Sequence, residues 1–510
     1  MLDSASGYVT DAGYAATFFR ELSPVWLNYV AACNAVAPRD LSRPFTYLEL
    51  GCGYGGSTVV NAGAFPQGEF HACDLNPEHI DGAREHARAL RIGNVHFHAT
   101  TFESLPLHEL PTFDFIVLHG VYSWVNRAAR AAALEIAKKR LKPDGLAYVS
   151  YNCWPGWAVE APLRRLLVEL AGNSTGGTAD RVAQAVAELG KLQHQKLRYF
   201  ASNPGVAAAI DAYRKGTGNY LAHEFFNETW EPFYSIDVAA EMSSAGLSYV
   251  GSATLTDNYP MLLVDDATAR AIAALPDPRQ QQLAMDFATD RRFRRDVFVR
   301  GDGRLGPTEA TRHCLAFALA CSGNPADLAI KVRVPRGEIT FQSSFIDELR
   351  ALLRDGSIAI GEALARLSGA GRDSAEIARN LTFLVAAGSL VPCARVHRTS
   401  RVPAGQPANA VVAQALEHAA RGTTLGAIPS EVLGNGVLVS PLEALGLTQW
   451  LAGVDGIEPL ERRLRATADL LNLQGEPSDT RSQGHDMSHA IAVRVIEKLV
   501  PTFVRLGLIV

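Results

Sequence analysis

The chain has 510 residues, of which 47% are hydrophobic and 20% charged, and its formal net charge is −5. That length exceeds one hydrophobic core, so three or four domains are expected, and the ordinary globular mix excludes a disordered or fibrous chain. The acidic balance without a basic stripe argues against general nucleic-acid binding.

Seven scattered cysteines with no Cys-x-x-Cys pair fit a reducing compartment better than a disulfide scaffold. No run reaches the roughly 18 apolar residues of a membrane helix, and the N-terminus lacks a leader pattern. A cytoplasmic protein with no membrane insertion is the expectation.

Tyr14 to Val36 carries apolar residues at helical spacing, broken at Pro24, and predicts a helical cover. Phe45 to Leu50 predicts a short strand buried on both faces. Glycines follow at Gly51, Gly53, Gly55 and Gly56, where the backbone can adopt positive φ and approach a ligand. Ser57 to Ala64 can open a helix. The spacing Gly51-x-Gly53-x-x-Gly56 also fits a dinucleotide fingerprint. Glu49 separates the two readings. A pyrophosphate wants helix N–H groups with no carboxylate beside them, whereas the cationic methionyl group of S-adenosylmethionine (SAM) is attracted by one.

Phe70 to Cys73 predicts a second strand ending at Asp74, a carboxylate able to accept from both ribose hydroxyls. Asn94 to His98 predicts a third, with Thr101 and Phe102 just beyond it. Phe113 to Leu118 predicts a fourth, ending at His119-Gly120. Leu141 to Gly145 reads as a turn into a fifth strand, Leu146 to Tyr151. This is the order of an α/β, Rossmann-like sheet. The residues expected to hold SAM are Glu49, Gly51, Cys52, Gly53, Gly55, Asp74, Leu75, Thr101, Phe102, His119 and Gly120.

Methyl transfer is an in-line displacement that needs an electron-rich atom about 3 Å from the methyl carbon and no competing water. A lysine amine, with a pKa near 10.4, must first become neutral. A desolvated aromatic pocket lowers that value and accommodates cationic character. Tyr122 and Trp124 after the fourth strand, and Tyr151, Trp154 and Trp157 after the fifth, are the expected walls, with the Asn152 carbonyl orienting an N–H. The catalytic candidates are therefore His119, Tyr122, Trp124, Tyr151 and Asn152. His119 has two open readings: general base toward a sugar or phenol hydroxyl, or a lining residue of the methionyl pocket.

From Ala158 onward helical periodicity dominates, with a loop composition at Gly172 to Gly177. His223-Glu224 lacks the second His of a metalloprotease helix, and no zinc spacing is visible, so no metal is expected. The pair can serve as a lid or substrate contact, or as a buried structural pair. Ala245 to Val250 reads as a helix end feeding a strand. That strand either completes the sheet, making about 158–235 an inserted lid, or belongs to a separate regulatory domain. Arg291 to Arg300 holds five arginines, read as a solvated face or inter-domain salt bridges.

Ile339 to Phe341 predicts a short strand, with helices near 345–354, 360–367 and 374–387, the last capped by Asp373 with Glu376 and stopped by Gly388. These suggest a winged-helix-like unit. Its third helix carries only Arg379 after Arg372, which favours protein contact over DNA. Arg401 to Pro407 reads as a linker, and 411–510 as a small helical unit.

Two segments carry a resemblance: Phe113 to Val125, with His119-Gly120-Val121-Tyr122-Ser123-Trp124, and Tyr148 to Trp157, with Tyr151-Asn152-Cys153-Trp154-Pro155-Gly156-Trp157. Tyr8 to Pro24, His223 to Tyr234 and Phe293 to Gly301 add to it. The chain resembles bacterial class I SAM-dependent methyltransferases that carry a methyltransferase regulatory domain, a group that includes rickettsial outer-membrane-protein lysine methyltransferases. The resemblance is strongest over about the first 300 residues. It implies a class I methyltransferase sheet, a mostly helical regulatory region and winged-helix-like C-terminal modules. The expected divisions are 1–157 for the SAM-binding core, 158–302 for the regulatory region, 303–400 and 408–510. It implies a protein lysine as acceptor. An O-methyltransferase acting on a surface-glycan sugar or a small molecule, with His119 as base, is the second reading, and a SAM-binding regulator without catalysis the third. The C-terminal modules are expected to recognise substrate or form a homodimer.

Overall fold

The structure is a computed structural model describing residues 17–172, 174–195, 197–216, 218–368, 372–399, 405–422, 425–470 and 480–510. The Tyr8–Asp11 motif and Tyr14 lie outside the described residues.

Seven strands form the central sheet: β1 (Phe45–Leu50), β2 (Gly68–Asp74), β3 (Val95–Ala99), β4 (Phe113–Leu118), β5 (Leu141–Asn152), β6 (Leu247–Ser252) and β7 (Phe293–Arg300). Their order is β3-β2-β1-β4-β5-β7-β6. The first five run parallel, and β7 is antiparallel to both of its neighbours. The order reverses between β1 and β4, so a crevice opens beyond their carboxyl ends, where ligands bind in this architecture. The apolar runs of β1 and β4 follow from helices on both faces of the sheet.

The flanking helices begin where their sequences say. In α1 (Pro24–Cys33), Ser23 caps the Trp26 N–H and Pro24 takes the first turn. The next, α2 (Gly56–Ala64), leaves the glycine turn directly. Asn76 caps α3 (Pro77–Ala89), and Asn126 caps α4 (Arg127–Arg140). One expected turn is absorbed into the sheet. Residues 141–145 belong to β5, with Asp144 at φ 58° and the register shifting between Phe113 and Phe115 of β4. Phe113 pairs with Leu141 and Phe115 with Leu146, so residues 142–145 still turn out of the ladder, within the span of β5, before pairing resumes at Leu146.

Between β5 and β6 lies a helical insertion: α5 (Ala161–Gly172), α6 (Thr178–Gln193), α7 (Arg198–Ser202), α8 (Gly205–Lys215) and α9 (Gly218–Phe225). It has its own apolar core, built on Trp157, Leu167, Val186, Ile210 and Phe225. α10 (Ser235–Ser244) then returns the chain to β6. Of the two readings open for Ala245 to Val250, the structure takes the first: this strand is in the sheet, and β7 joins it.

Beyond the sheet, β8 (Ala318–Cys321) is the middle strand of a small antiparallel sheet. Its neighbours are β11 (Ile358–Ala359) and β12 (Leu390–Cys393), accompanied by helices Ser343–Leu353, Ile360–Leu367 and Ser374–Ala386. The strand expected at 339–341 does not join that sheet. It forms a separate hairpin of β9 (Lys331–Val334) and β10 (Gly337–Thr340). A last hairpin, β13 (Ala427–Ser430) and β14 (Asn435–Leu438), sits on α2: a Cβ added at Gly63 would meet Pro429 at 2.9 Å, and one at Gly436 would meet Val60 at 2.6 Å. One apolar core therefore runs from Phe18 to Ile509. Among the described residues, no helix is long and apolar enough to cross a membrane.

Candidate active site

The glycine turn is shaped by backbone hydrogen bonds. The N–H groups of Gly51 and Cys52 both donate to the Cys73 carbonyl, at 2.8 and 3.0 Å, and the Gly53 N–H donates to Asp74 Oδ2 at 2.9 Å. Gly51 needs to be glycine on two counts: its φ is +77°, and a Cβ there would sit 2.4 Å from Val121 Cγ2. Asp74 Oδ1 accepts from the Asn76 N–H at 2.9 Å and lies 3.2 Å from His79 Nδ1. Three elements thus fix this carboxylate at the end of β2.

Glu49 is 4% exposed and accepts a hydrogen bond from the Thr58 hydroxyl at the start of α2. Burial pushes its carboxyl up to about 7, the Thr58 bond opposes the shift, and the Asp74 charge adds to it. A second anion at this turn would be repelled. A cationic ligand group would return Glu49 to its charged form. The donor set therefore suits the ammonium of a methionyl group and does not suit a pyrophosphate.

A cavity partly open to solvent lies against these residues, in the crevice beyond the carboxyl ends of β1 and β4. Glu49, Gly51, Cys52, Gly53, Asp74, Leu75, Thr101, Phe102, His119, Gly120 and Trp124 all line it. Gly55 does not; it shapes the turn from behind, with φ +70° and Ala83 2.8 Å from where a Cβ would lie.

His119 meets Phe19 face to ring at a 3.9 Å centroid distance, and its Nδ1 lies 2.8 Å from the Tyr148 hydroxyl. Burial, with the Arg295 charge, pulls the imidazole down to about 3. His119 is therefore neutral at physiological pH and a weak proton acceptor.

Three of the expected catalytic residues are not at the cavity. Tyr122 is fully buried, packs on Phe233 at 5.4 Å and donates its hydroxyl to Glu241 of α10. Tyr151 is buried and donates to Asp296 at 2.6 Å. Asn152 is 2% exposed, its N–H bonded to the Ser123 hydroxyl and its carbonyl to the Phe233 N–H. The physical reason is the return of β7 and α10 over this edge, which covers the side chains that sequence order alone would leave facing a ligand. Trp154 and Trp157 go to the helical insertion: Trp157 meets Trp230 edge to face at 5.2 Å and lies under Arg292 at 4.1 Å.

Residues not anticipated as cofactor or catalytic groups complete the wall: Thr17 and Phe19 from the N-terminal segment, Tyr54 and His79, Glu103, and Glu224 and Asn227 from α9 and its exit. Trp124 donates its indole N–H to the Glu224 carbonyl at 3.4 Å, so the loop after β4 and α9 meet here. The Glu224 carboxyl is pushed up to about 7 by burial, against the charges of Arg292 and Arg164. The one sequence signal for it was the His223-Glu224 pair.

The same residues carry a family likeness. Residues 48–145 match the methyltransferase domain family, and 217–300 match the predicted methyltransferase regulatory domain. An uncharacterized protein of Synechocystis sp. is 30% identical over 504 residues, covering 98% of this chain and 99% of that one. A second, from Rickettsia prowazekii, is 30% identical over 265 residues, 51% of this chain and 46% of its own. The structure of PKMT2 from Rickettsia typhi in complex with AdoHcy superposes with a TM-score of 0.69 at 17% identity, over 98% of this chain and 100% of that one. The chain belongs to the class I SAM-dependent methyltransferases with a methyltransferase regulatory domain. SAM is its cofactor. The regulatory match spans β6, β7 and the cavity residues Glu224 and Asn227, so this segment supplies both sheet strands and part of the cavity wall.

Proposed function

We propose that the protein N-methylates lysine side chains of protein substrates, with Glu224 receiving the acceptor. The observation that carries this reading is a half-buried carboxylate with Trp124 at the cavity wall, raised by burial to about 7. Such a group attracts an ammonium and then accepts its proton, because the two charges lose solvation together in the aromatic pocket. Phe19, Phe102 and Trp124 provide faces that tolerate cationic character. Bound SAM supplies the electrophilic methyl. Glu224 would take the proton of the entering ammonium and pass it to solvent, leaving a neutral amine to accept the methyl; the methylammonium formed carries the positive charge that SAM gives up. On the cofactor side we assign Asp74 to the ribose hydroxyls, Glu49 to the methionyl ammonium, and Thr101 with Phe102 to the adenine.

The resemblance to rickettsial lysine methyltransferases points the same way. O-methylation with His119 as general base is the weaker reading, because its imidazole is pulled down to about 3 and is a weak proton acceptor. The test is transfer of labelled methyl from SAM into a fractionated cell extract. Label in protease-sensitive protein that appears as methyl-lysine after acid hydrolysis is the expected result. Label confined to glycan or small-molecule fractions would overturn it.

A further inference from the structure

We propose that Glu69, His71 and His96 form a site for one divalent transition-metal ion of the zinc type, at the free edge of the sheet and outside the methyl-transfer cavity. The parallel register of β2 and β3 sets His71 beside His96 and Cys73 beside His98. One ligand atom from each of Glu69, His71 and His96 falls within 4.8 Å of the others. Glu69 Oε1 is 3.0 Å from His71 Nε2 and 3.9 Å from His96 Nε2. Zinc holds imidazole and carboxylate at about 2.0–2.2 Å, which puts tetrahedral neighbours about 3.3 Å apart. Two of the three pairs are thus near ligand spacing. The Glu69 and His96 side chains are 50% and 53% exposed and can rotate to close the rest, while buried His71 is the fixed point.

The surroundings of His71 fit a ligand. Its second nitrogen, Nδ1, lies 3.2 Å from His98 Nε2, and the two rings are parallel to within 8°. A metal-binding histidine gives its other N–H to an acceptor, which fixes the tautomer and aims the lone pair at the ion. In the metal-free chain the His71 Nε2–H donates to Glu69 Oε1; an arriving ion would displace that proton, and an Nδ1–H given to His98 would then leave the Nε2 lone pair facing Glu69 and His96. Imidazole with one carboxylate selects zinc, cobalt or nickel over magnesium or calcium, and three protein ligands leave a fourth position for water.

The site lies about 10 Å along β2 from Asp74, at roughly 3.3 Å per residue. An ion there would tie the edge strand β3 to β2, the two strands whose ends carry Asp74 and Thr101. Its ligands come from neighbouring strands, so no local ligand spacing betrays it in the sequence.

The test uses the full chain, free of any histidine tag and stripped of metal, titrated with zinc chloride by calorimetry. Expected are one Zn²⁺ per chain, a higher unfolding temperature with zinc, no response to magnesium, and visible d–d absorption of tetrahedral cobalt on replacement. His96→Ala and Glu69→Gln, both at exposed positions, should each weaken Zn²⁺ at least 10-fold and leave SAM affinity unchanged. Absence of stoichiometric zinc binding would overturn the proposal. So would zinc affinity unchanged within about 2-fold in both variants, which would place the ion elsewhere.

Discussion

Asp74 and Glu49 are both carboxylates at the glycine turn, yet they have different work. Asp74 is fixed by the Gly53 and Asn76 N–H groups, with acceptor capacity left for hydroxyl donors. With Asp74 assigned to the ribose as proposed, Asp74→Ala would remove its bonds to the hydroxyls and would also loosen the turn. SAM affinity should fall about 10- to 100-fold, at 1.5–3 kcal/mol per charge-assisted bond; a calorimetric Kd within 2-fold of wild type would count against the assignment. Glu49 titrates, and its sign can be worked out. Its folded pKa, about 7, lies above the ordinary 4.5, so between those values the folded chain binds more protons than the unfolded one. Stability of the SAM-free protein should therefore fall as pH rises from about 4.5 to 7, by up to roughly 3 kcal/mol at 1.4 per unit. Glu49→Gln should flatten that slope in denaturant titrations. It should also abolish the proton release that SAM binding causes below pH 7. A slope unchanged by the substitution would show that other groups cause it.

At the scale of elements, β7 ties the regulatory segment to the sheet. Arg294 on this strand is buried between two carboxylates, Asp286 at 2.6 Å and Asp296 at 3.0 Å, and Ser235 and Tyr151 bond the same pair. Arg294→Met would strand both acids without their cation. Destabilisation of about 3–5 kcal/mol is expected by chemical denaturation; a loss under 1 kcal/mol would mean that the carboxyls are satisfied otherwise. This network also explains what sequence reading could and could not reach. The strand–glycine–helix unit and Asp74 are local: a few consecutive residues dictate the turn, so their meeting at one sheet edge was legible. Tyr122 and Trp124 are two residues apart, yet one is buried against Glu241 and the other faces the cavity. Which side each takes depends on α10 and β7, more than 100 residues away, and no periodicity records that. The arginine-rich stretch Arg291–Arg300 reads as a solvated face or as salt bridges; Arg291, Arg292 and Arg294 do pair with carboxylates, and antiparallel pairing with β5 and β6 draws Arg294 into the interior.

At the scale of the whole molecule, the C-terminal half is packed onto the catalytic half. The β13–β14 hairpin covers α2, where Val60 is fully buried and Phe65 is 2% exposed. A chain ended after residue 400 would bare this face and several large apolar side chains, each worth about 1.5–3 kcal/mol. Its unfolding temperature should drop by about 10 °C or more, or the chain should aggregate; an unchanged melting curve would show that the hairpin is dispensable. Weak legibility here has a physical cause too: short strands and helices of ordinary composition declare their existence, but not the partner that covers them.

In the proposed function, sheet and regulatory segment build one active site, the sheet holding SAM and Glu224 receiving the acceptor amine. The most direct measurement compares wild type and Glu224→Gln in two readouts on the same preparation: SAM binding by calorimetry and labelled-methyl transfer to the protein fraction of an extract. SAM affinity within about 3-fold of wild type and transfer reduced about 100-fold are expected, in line with loss of a proton acceptor. Transfer at the wild-type rate, with methyl-lysine still formed, would contradict that reading.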